Sequence, residues 1–125
     1  MQYGLRDISR DDASRVLRIN LNSLDVMVHR FTLGERRKGA RLFSLRDLAT
    51  IKSARALAGP EFSLDEALQI CGPPLAREPH SDDVLIVTDD AAWIQHDHDD
   101  WPECNCSIVP VGRTAKEIKQ KLEAL

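Results

Sequence analysis

Four cationic side chains lie within six consecutive positions of the sequence, between two apolar segments: Arg36, Arg37, Lys38 and Arg41. Guanidinium and ammonium groups bind phosphate oxygens, so a basic cluster on one surface suits a nucleic-acid backbone. Gly34 and Gly39 bracket the charged tip, a pattern typical of a β-hairpin. The sequence therefore predicts a basic hairpin that contacts DNA phosphates. The alternative interpretation is a solvated turn that only keeps the protein soluble.

Polar side chains that could read bases precede the hairpin, on a segment that we predict to be the second of two short helices. Base edges in the major groove are read by donors and acceptors on a helix that enters the groove. The candidates on this helix are Asn22, Ser23, Asp25, Met27, His29 and Arg30. Arg15 and Arg18 on the first helix are predicted to bind a neighbouring phosphate. His29 is equally well explained as an ordinary surface histidine.

Histidine and cysteine residues are concentrated in one later stretch of eleven residues, at His96, His98, Cys104 and Cys106. Two imidazoles and two thiols are ligands that a tetrahedral zinc site uses. Paired zinc ligands usually have two to four residues between them, whereas a single residue separates each pair here. The favoured interpretation is therefore an acidic exposed loop with incidental thiols and no cofactor. Zinc is kept as the alternative, with His80 and Cys71 as weaker candidate ligands.

Three pairs of adjacent aspartates raise the question of a catalytic carboxylate dyad: Asp82 and Asp83, Asp89 and Asp90, and Asp99 and Asp100. A dyad needs an enclosed pocket, and neighbouring residues in a turn point in different directions, so solvated turns explain these pairs better. The sequence also has no glycine-rich phosphate loop, no Gly-x-Ser-x-Gly and no His-Glu-x-x-His. We therefore predict that the protein is not an enzyme.

The charge of the chain is divided between its two halves. Residues 1–59 carry twelve Lys and Arg against six Asp and Glu, whereas residues 60–125 carry five against fourteen. The first half therefore suits a polyanion and the second half would repel one. Nothing in the 125 residues has the length and hydrophobicity of a membrane span or a signal peptide. Three cysteines, an odd number, fit free thiols in the cytoplasm.

Serine residues followed three positions later by an acidic residue mark three helix starts. The pairs are Ser9 with Asp12, Ser44 with Asp47, and Ser63 with Glu66. Together with a cap at Ser23 they predict helices over Arg10 to Arg18, Leu24 to Phe31, Leu45 to Ala58 and Leu64 to Cys71. Four short helices and a hairpin wing over residues 1–72 predict a winged helix-turn-helix domain.

Residues 73–83 are rich in proline and predict an extended linker. Beyond it, residues 84–125 predict three strands, with Trp93 and Ile94 in their core, and a final helix capped by Thr114 and Glu117. The fold class is thus α+β. Because such a sheet is thin, we predict that residues 84–125 form a homodimer.

Two segments resemble one family of regulators. Gly39-Ala40-Arg41-Leu42-Phe43-Ser44-Leu45-Arg46-Asp47-Leu48 is similar to the passage from wing to helix in MerR-type winged helix-turn-helix proteins. Phe62-Ser63-Leu64-Asp65-Glu66-Ala67 follows at the distance that this pattern requires. The resemblance extends from about Arg10 to Ile70, with a shortened wing. It implies that Arg41 contacts a DNA phosphate and that the protein acts as a dimer or in arrays on DNA.

These features together predict a transcriptional regulator that binds specific sequences in double-stranded DNA. A protein-binding adaptor or antirepressor is the alternative, acting through the acidic C-terminal half and including a metal-responsive His and Cys loop. Retention on duplex DNA that weakens with salt separates the two, since only the regulator requires it.

Overall fold

The structure, a computed structural model, describes residues 2–31, 33–37, 39–96, 101–103 and 105–125, with backbone alone at Phe31 and Arg37. The described chain contains five α-helices and two three-stranded antiparallel sheets, so the fold is α+β as predicted. None of these helices has the length and apolar character needed to cross a membrane. In chain order the elements are β1 (Ile8–Ser9), α1 (Arg10–Leu17), α2 (Leu21–Phe31), β2 (Glu35–Arg37), β3 (Ala40–Phe43), α3 (Leu45–Leu57), α4 (Leu64–Cys71), β4 (Val84–Val87), β5 (Ala92–Gln95), β6 (Ser107–Val109) and α5 (Val111–Glu123).

The three serine caps predicted from the sequence are confirmed. Ser9 accepts a hydrogen bond from the Asp12 amide at 3.1 Å. Ser44 accepts from the Asp47 amide at 3.0 Å while the Asp47 carboxylate accepts from the Ser44 amide at 2.9 Å, which completes a capping box. Ser63 and Glu66 form the same pair of bonds. These starts were predictable because a cap satisfies orphan amides within one helical turn.

Two other predicted caps are wrong. Helix α2 begins at Leu21, three residues before the predicted start, because the Asn20 side chain accepts from the Ser23 amide at 2.8 Å. Helix α5 begins at Val111, directly after Pro110, and Pro110 makes no side-chain capping bond. Thr114, the predicted cap, is buried inside α5. The carbonyl of Pro110 accepts the hydrogen bond from the Thr114 amide at 2.9 Å, so Thr114 lies one turn inside the helix.

Helix α3 is the centre of the hydrophobic core. Leu48, Ile51 and Ala54 are fully buried, as its apolar spacing predicts. Ala49 and Ser53 are also fully buried, because α4 packs on one side of α3 and α5 on another. The core runs without a break from the helices of the first half to the second sheet and α5.

The proline-rich segment is packed into this core and does not form the extended linker that we predicted. Pro74–Ala76 forms a 3-10 turn, and the Leu75 side chain is fully buried. The Tyr3 hydroxyl donates to the Leu75 carbonyl at 2.7 Å, which ties this turn to the N-terminal segment. Burial raises the pKa of Tyr3 above its ordinary value. The predicted domain boundary after residue 72 therefore lies within one continuous hydrophobic core.

One sheet is formed by strands from the first half of the sequence and the other by strands from the second half. In the first, β3 is central and pairs with β2 and with the two-residue strand β1, which was not predicted. In the second, β4 lies between β5 and β6. Trp93 and Ile108 both lie opposite Ile86, and both are exposed, at 36% and 49%. The prediction of Trp93 as a core residue is therefore wrong, because the strand register places it on the outer side of the sheet.

Candidate nucleic-acid interface

Helix α2 presents most of its predicted contact residues to solvent, but the prediction for Met27 is wrong, because its side chain is only 6% exposed and packs in the core. Leu24, Met27 and Val28 are buried and hold the helix on the core. The opposite face is exposed, and it carries Asn22, Ser23, Val26, His29 and Arg30. At 100° per residue these five positions occupy a single stripe, so they face the same way.

Val26 is a residue of this face that the sequence analysis missed. Its side chain is 56% exposed, and it lies between polar neighbours on the solvent side of α2. An apolar side chain at such a position is able to contact the methyl group of thymine in the major groove. Its apolar type suggested burial, and only the helix start at Leu21 and the packing of α2 reveal its exposure.

A three-residue turn, residues 18–20, joins α1 to α2. Arg18 has a left-handed backbone with φ of 55°, while Ile19 is buried and Asn20 caps α2. The Ser14 hydroxyl donates to the Ile19 carbonyl at 2.5 Å and helps to fix the turn. Helices α1 and α2 thus follow each other across a short, well-fixed turn.

The hairpin of β2 and β3 places two arginines directly opposite each other. Arg36 pairs with Arg41 across the two strands, and Gly39 in the connection has φ of 81°. Like charges at directly opposed positions destabilise a sheet unless a counter-charge lies nearby. The Arg41 guanidinium also donates a hydrogen bond to the Leu33 carbonyl at 2.7 Å, which fixes the position of the Arg41 side chain. The Arg37 side chain and Lys38 lie outside the described residues.

A cleft of about 560 Å³ lies between α2 and this hairpin. His29 lines it from α2, and Arg36 and Arg41 line it from the hairpin. Arg10 and Asp25 also line the cleft and form a bidentate ion pair, with nitrogen to oxygen distances of 2.8 and 2.6 Å. This pairing lowers the pKa of the Asp25 carboxyl and raises that of Arg10. Asp25, which the sequence left available for a base contact, is therefore bound to Arg10.

A second groove of about 540 Å³ lies on the other side of α2. Arg18, Asn22 and Ser23 line it, together with Val26 and with Arg55 from α3. The described residues that line this groove include no carboxylate. Arg18 and Arg55 are thus the charged side chains among the described residues that line this groove, and Arg55 was not predicted from the sequence.

Helix α3 contributes a further cation close to this groove. Burial lowers the pKa of Lys52, and the charges of Lys121 and Arg18 lower it further, against the opposing effect of Glu117. Lys52 lies on α3, Lys121 on α5 and Arg18 in the turn after α1, so only the folded chain brings their charges together. Clustered cations of this kind favour a polyanion, because its charge relieves their mutual repulsion.

Two of the predicted DNA contacts stand apart from the grooves. Arg15 is exposed on α1 and lines neither groove. Arg30 is exposed on α2 and its guanidinium lies 2.8 Å from an Asp65 oxygen at the start of α4. The other predicted contact residues that the structure describes line the two grooves beside α2. His29, Arg36 and Arg41 line the first groove, and Arg18, Asn22 and Ser23 line the second.

The candidate zinc ligands are only partly described. His98 and Cys104 lie outside the described residues. Cys106 is partly exposed, and His96 lies next to Asp83 with its Nδ1 2.5 Å from a carboxylate oxygen. Within the described ranges, no group of three or more His, Cys, Asp or Glu side chains could hold a metal ion.

Cys71, a weaker candidate ligand, is expected to be chemically inert in the folded protein. Its side chain is fully buried, and burial raises the pKa of its thiol to about 11. Because the thiolate is the reactive form, alkylation by iodoacetamide at pH 8 should modify Cys106 and leave Cys71 free. Mass spectrometry of the peptides measures this, with urea-unfolded protein as the control in which Cys71 reacts. Equal labelling of both cysteines in the folded state would contradict the burial of Cys71.

Comparison of the chain with protein-family models and with curated proteins finds no match.

Proposed function

We propose that this protein binds double-stranded DNA as a transcriptional regulator of MerR-like type. Helix α2 enters the major groove with its exposed face, and the β2–β3 hairpin contacts the phosphate backbone beside it. The observation that carries the proposal is the placement of opposed Arg36 and Arg41 next to a solvent-facing helix of polar residues. Phosphate contacts orient such a protein, and side chains on the helix read the bases.

The cations on either side of α2 fit a duplex backbone. Arg36 and Arg41 lie on the hairpin side, whereas Arg18 and Arg55 lie on the other. A helix in the major groove is flanked by a phosphate strand on each side, so cations on both sides of the helix match this geometry. Arg10 neutralises Asp25, which reduces the repulsion between that carboxylate and a phosphate.

Selection of bound duplexes from a random pool tests the proposal. We expect enrichment of a recurrent half-site and retention that weakens steeply as salt rises. An inverted repeat with a fixed spacing would indicate that two copies bind together, as the homodimer requires. Absence of both enrichment and salt-dependent retention would contradict DNA binding and favour the adaptor.

Replacing Arg18 by glycine is expected to weaken DNA binding without destabilising the fold. Arg18 occupies a left-handed conformation that costs a non-glycine residue roughly 1 kcal/mol, and glycine adopts it freely. We expect the free energy of unfolding to stay unchanged or to rise by up to about 1 kcal/mol. Duplex affinity should fall severalfold, because the cation in the α2 groove is lost.

Urea denaturation and fluorescence anisotropy measure the two effects of the Arg18 change. Arg113→Ala is a suitable control, since it removes one exposed cation from α5. If Arg18→Gly and Arg113→Ala bind duplex DNA equally well, Arg18 does not belong to the interface.

A further inference from the structure

The second groove beside α2 combines cations with apolar surface. Besides Arg18 and Arg55, four apolar residues line it: Ile19, Val26, Met27 and Leu64. Ile19 and Met27 are each 6% exposed and belong to the hydrophobic core, whereas Val26 is 56% exposed. The groove therefore brings apolar surface that is continuous with the core into contact with solvent.

A DNA backbone accounts for the cations of this groove but leaves its apolar surface uncovered. Phosphate oxygens bind guanidinium groups and offer no apolar contact. A thymine methyl group is able to reach Val26 on α2, whereas Leu64 lies on α4, a helix that the proposed DNA interface does not use. The lining therefore indicates a second kind of ligand, which has an apolar body as well as an anionic group.

The size and composition of the groove fit a small organic molecule. Its volume of about 540 Å³ lies within the range of roughly 300 to 1,000 Å³ that is usual for such sites. Small-molecule sites have a mostly apolar lining with a few polar groups that fix the orientation of the ligand. Here the polar residues are Asn20, Asn22 and Ser23, and the Asn20 side chain accepts from the Ser23 amide at 2.8 Å. This bond fixes part of the polar lining before a ligand binds.

The two arginines of the groove extend from fixed backbone. Arg55 lies within α3, and Arg18 keeps its left-handed conformation in a turn whose Ile19 carbonyl accepts from the Ser14 hydroxyl. Backbone strain of this kind, at a residue other than glycine, is concentrated at ligand sites. A guanidinium is planar and binds a carboxylate through two parallel hydrogen bonds. The cations of the groove are therefore suited to a carboxylate group.

We propose that the second groove binds a small carboxylate with an apolar body. Arg18 and Arg55 bind the carboxylate group, and Val26 and Leu64 cover the apolar body. This ligand occupies the cations that a duplex needs on that side of α2, so the ligand and DNA exclude each other. The carboxylate thereby acts as an effector that releases the protein from DNA. The release rests on the proposed DNA binding, whereas the binding of the carboxylate does not.

Titration of the full chain with sodium octanoate, followed by nuclear magnetic resonance of the backbone amides, tests the site. We expect saturable shifts at residues 18–27, at Arg55 and at Leu64. Acetate lacks the apolar body and 1-octanol lacks the charge, so each should bind about tenfold more weakly or worse. Absence of saturable shifts, shifts confined to other parts of the chain, or equal binding of octanoate and 1-octanol would overturn the proposal.

Two variants test the two kinds of contact. Arg55→Ala should weaken octanoate binding about tenfold through loss of a charged hydrogen bond, and Val26→Ser should weaken it severalfold through loss of apolar contact. Arg113→Ala is the matched control, because it removes an exposed cation from α5 and should leave octanoate affinity unchanged. Equal octanoate affinity in Arg55→Ala and Arg113→Ala would show that Arg55 does not bind the ligand.

Fluorescence anisotropy with a labelled duplex measures the release from DNA. Octanoate should lower the duplex affinity of the wild type and of Arg113→Ala, and it should have little effect on Arg55→Ala. Duplex binding that is the same with and without saturating octanoate would overturn the release. A chain that binds octanoate and no duplex would overturn the proposed function, together with the release, and would support the carboxylate site.

Discussion

Replacing Gly112 by alanine is expected to destabilise the protein by about 3 kcal/mol or more, the largest effect that we expect from a single methyl group. A Cβ atom at this position would lie 1.9 Å from the His80 carbonyl oxygen and 2.9 Å from the Asp83 amide nitrogen. Both are backbone atoms, so no side-chain rotation relieves the overlap. The segment between His80 and Asp83 would have to move away from α5.

Gly59→Ala is the matched control for this change. An added Cβ at Gly59 meets nothing within 4 Å, so this variant should stay within about 0.5 kcal/mol of the wild type. Urea denaturation measures both variants. Equal stability of the two alanine variants would show that the segment does not pack against α5 as described.

Gly112 illustrates where sequence reasoning failed. The sequence predicted Thr114 as the cap of the final helix, which would leave Gly112 outside that helix. In the structure Gly112 lies within α5, where the lack of a side chain lets a distant segment approach. A close approach between residues about thirty positions apart leaves no local signal, so spacing alone could not reveal it.

The features that sequence reasoning predicted well are those that depend on neighbouring residues. Ser9, Ser44 and Ser63 mark helix starts because each cap is completed within three residues. The strands β4 and β5 follow from short β-branched or apolar runs. Strand β1 was missed because two residues form a strand only when a partner, here β3, is already in place.

The candidate interface likewise combines residues that local patterns predict with residues that only tertiary packing brings in. The hairpin cations were evident from composition, and the exposed residues of α2 followed from helical spacing. Arg55 was missed because it lies on α3, more than twenty residues after α2, and reaches the groove only through packing. The engagement of Asp25 by Arg10 was likewise a tertiary contact. The sequence thus indicated the kinds of side chain at the candidate interface better than the full set of residues that line it.

Replacing Arg36 and Arg41 together by alanine is expected to lower the affinity for duplex DNA about 10- to 100-fold near physiological salt. Each phosphate contact contributes about 0.9 to the slope of log affinity against log salt, so the slope should decrease in magnitude by nearly two. Fluorescence anisotropy with a duplex of arbitrary sequence measures both quantities across a salt series. No knowledge of the operator is required, since this contribution is independent of sequence.

The stability of the double variant distinguishes a lost contact from a lost fold. Removing two opposed like charges should offset the loss of the bond from Arg41 to Leu33, so the free energy of unfolding should change little. Arg113→Ala with Lys116→Ala removes the same charge from the exposed side of α5 and serves as the control. If that control loses as much affinity and slope as the hairpin variant, net charge alone governs binding. The hairpin then has no specific role, because a true wing contact depends on where the two cations lie as well as on their number.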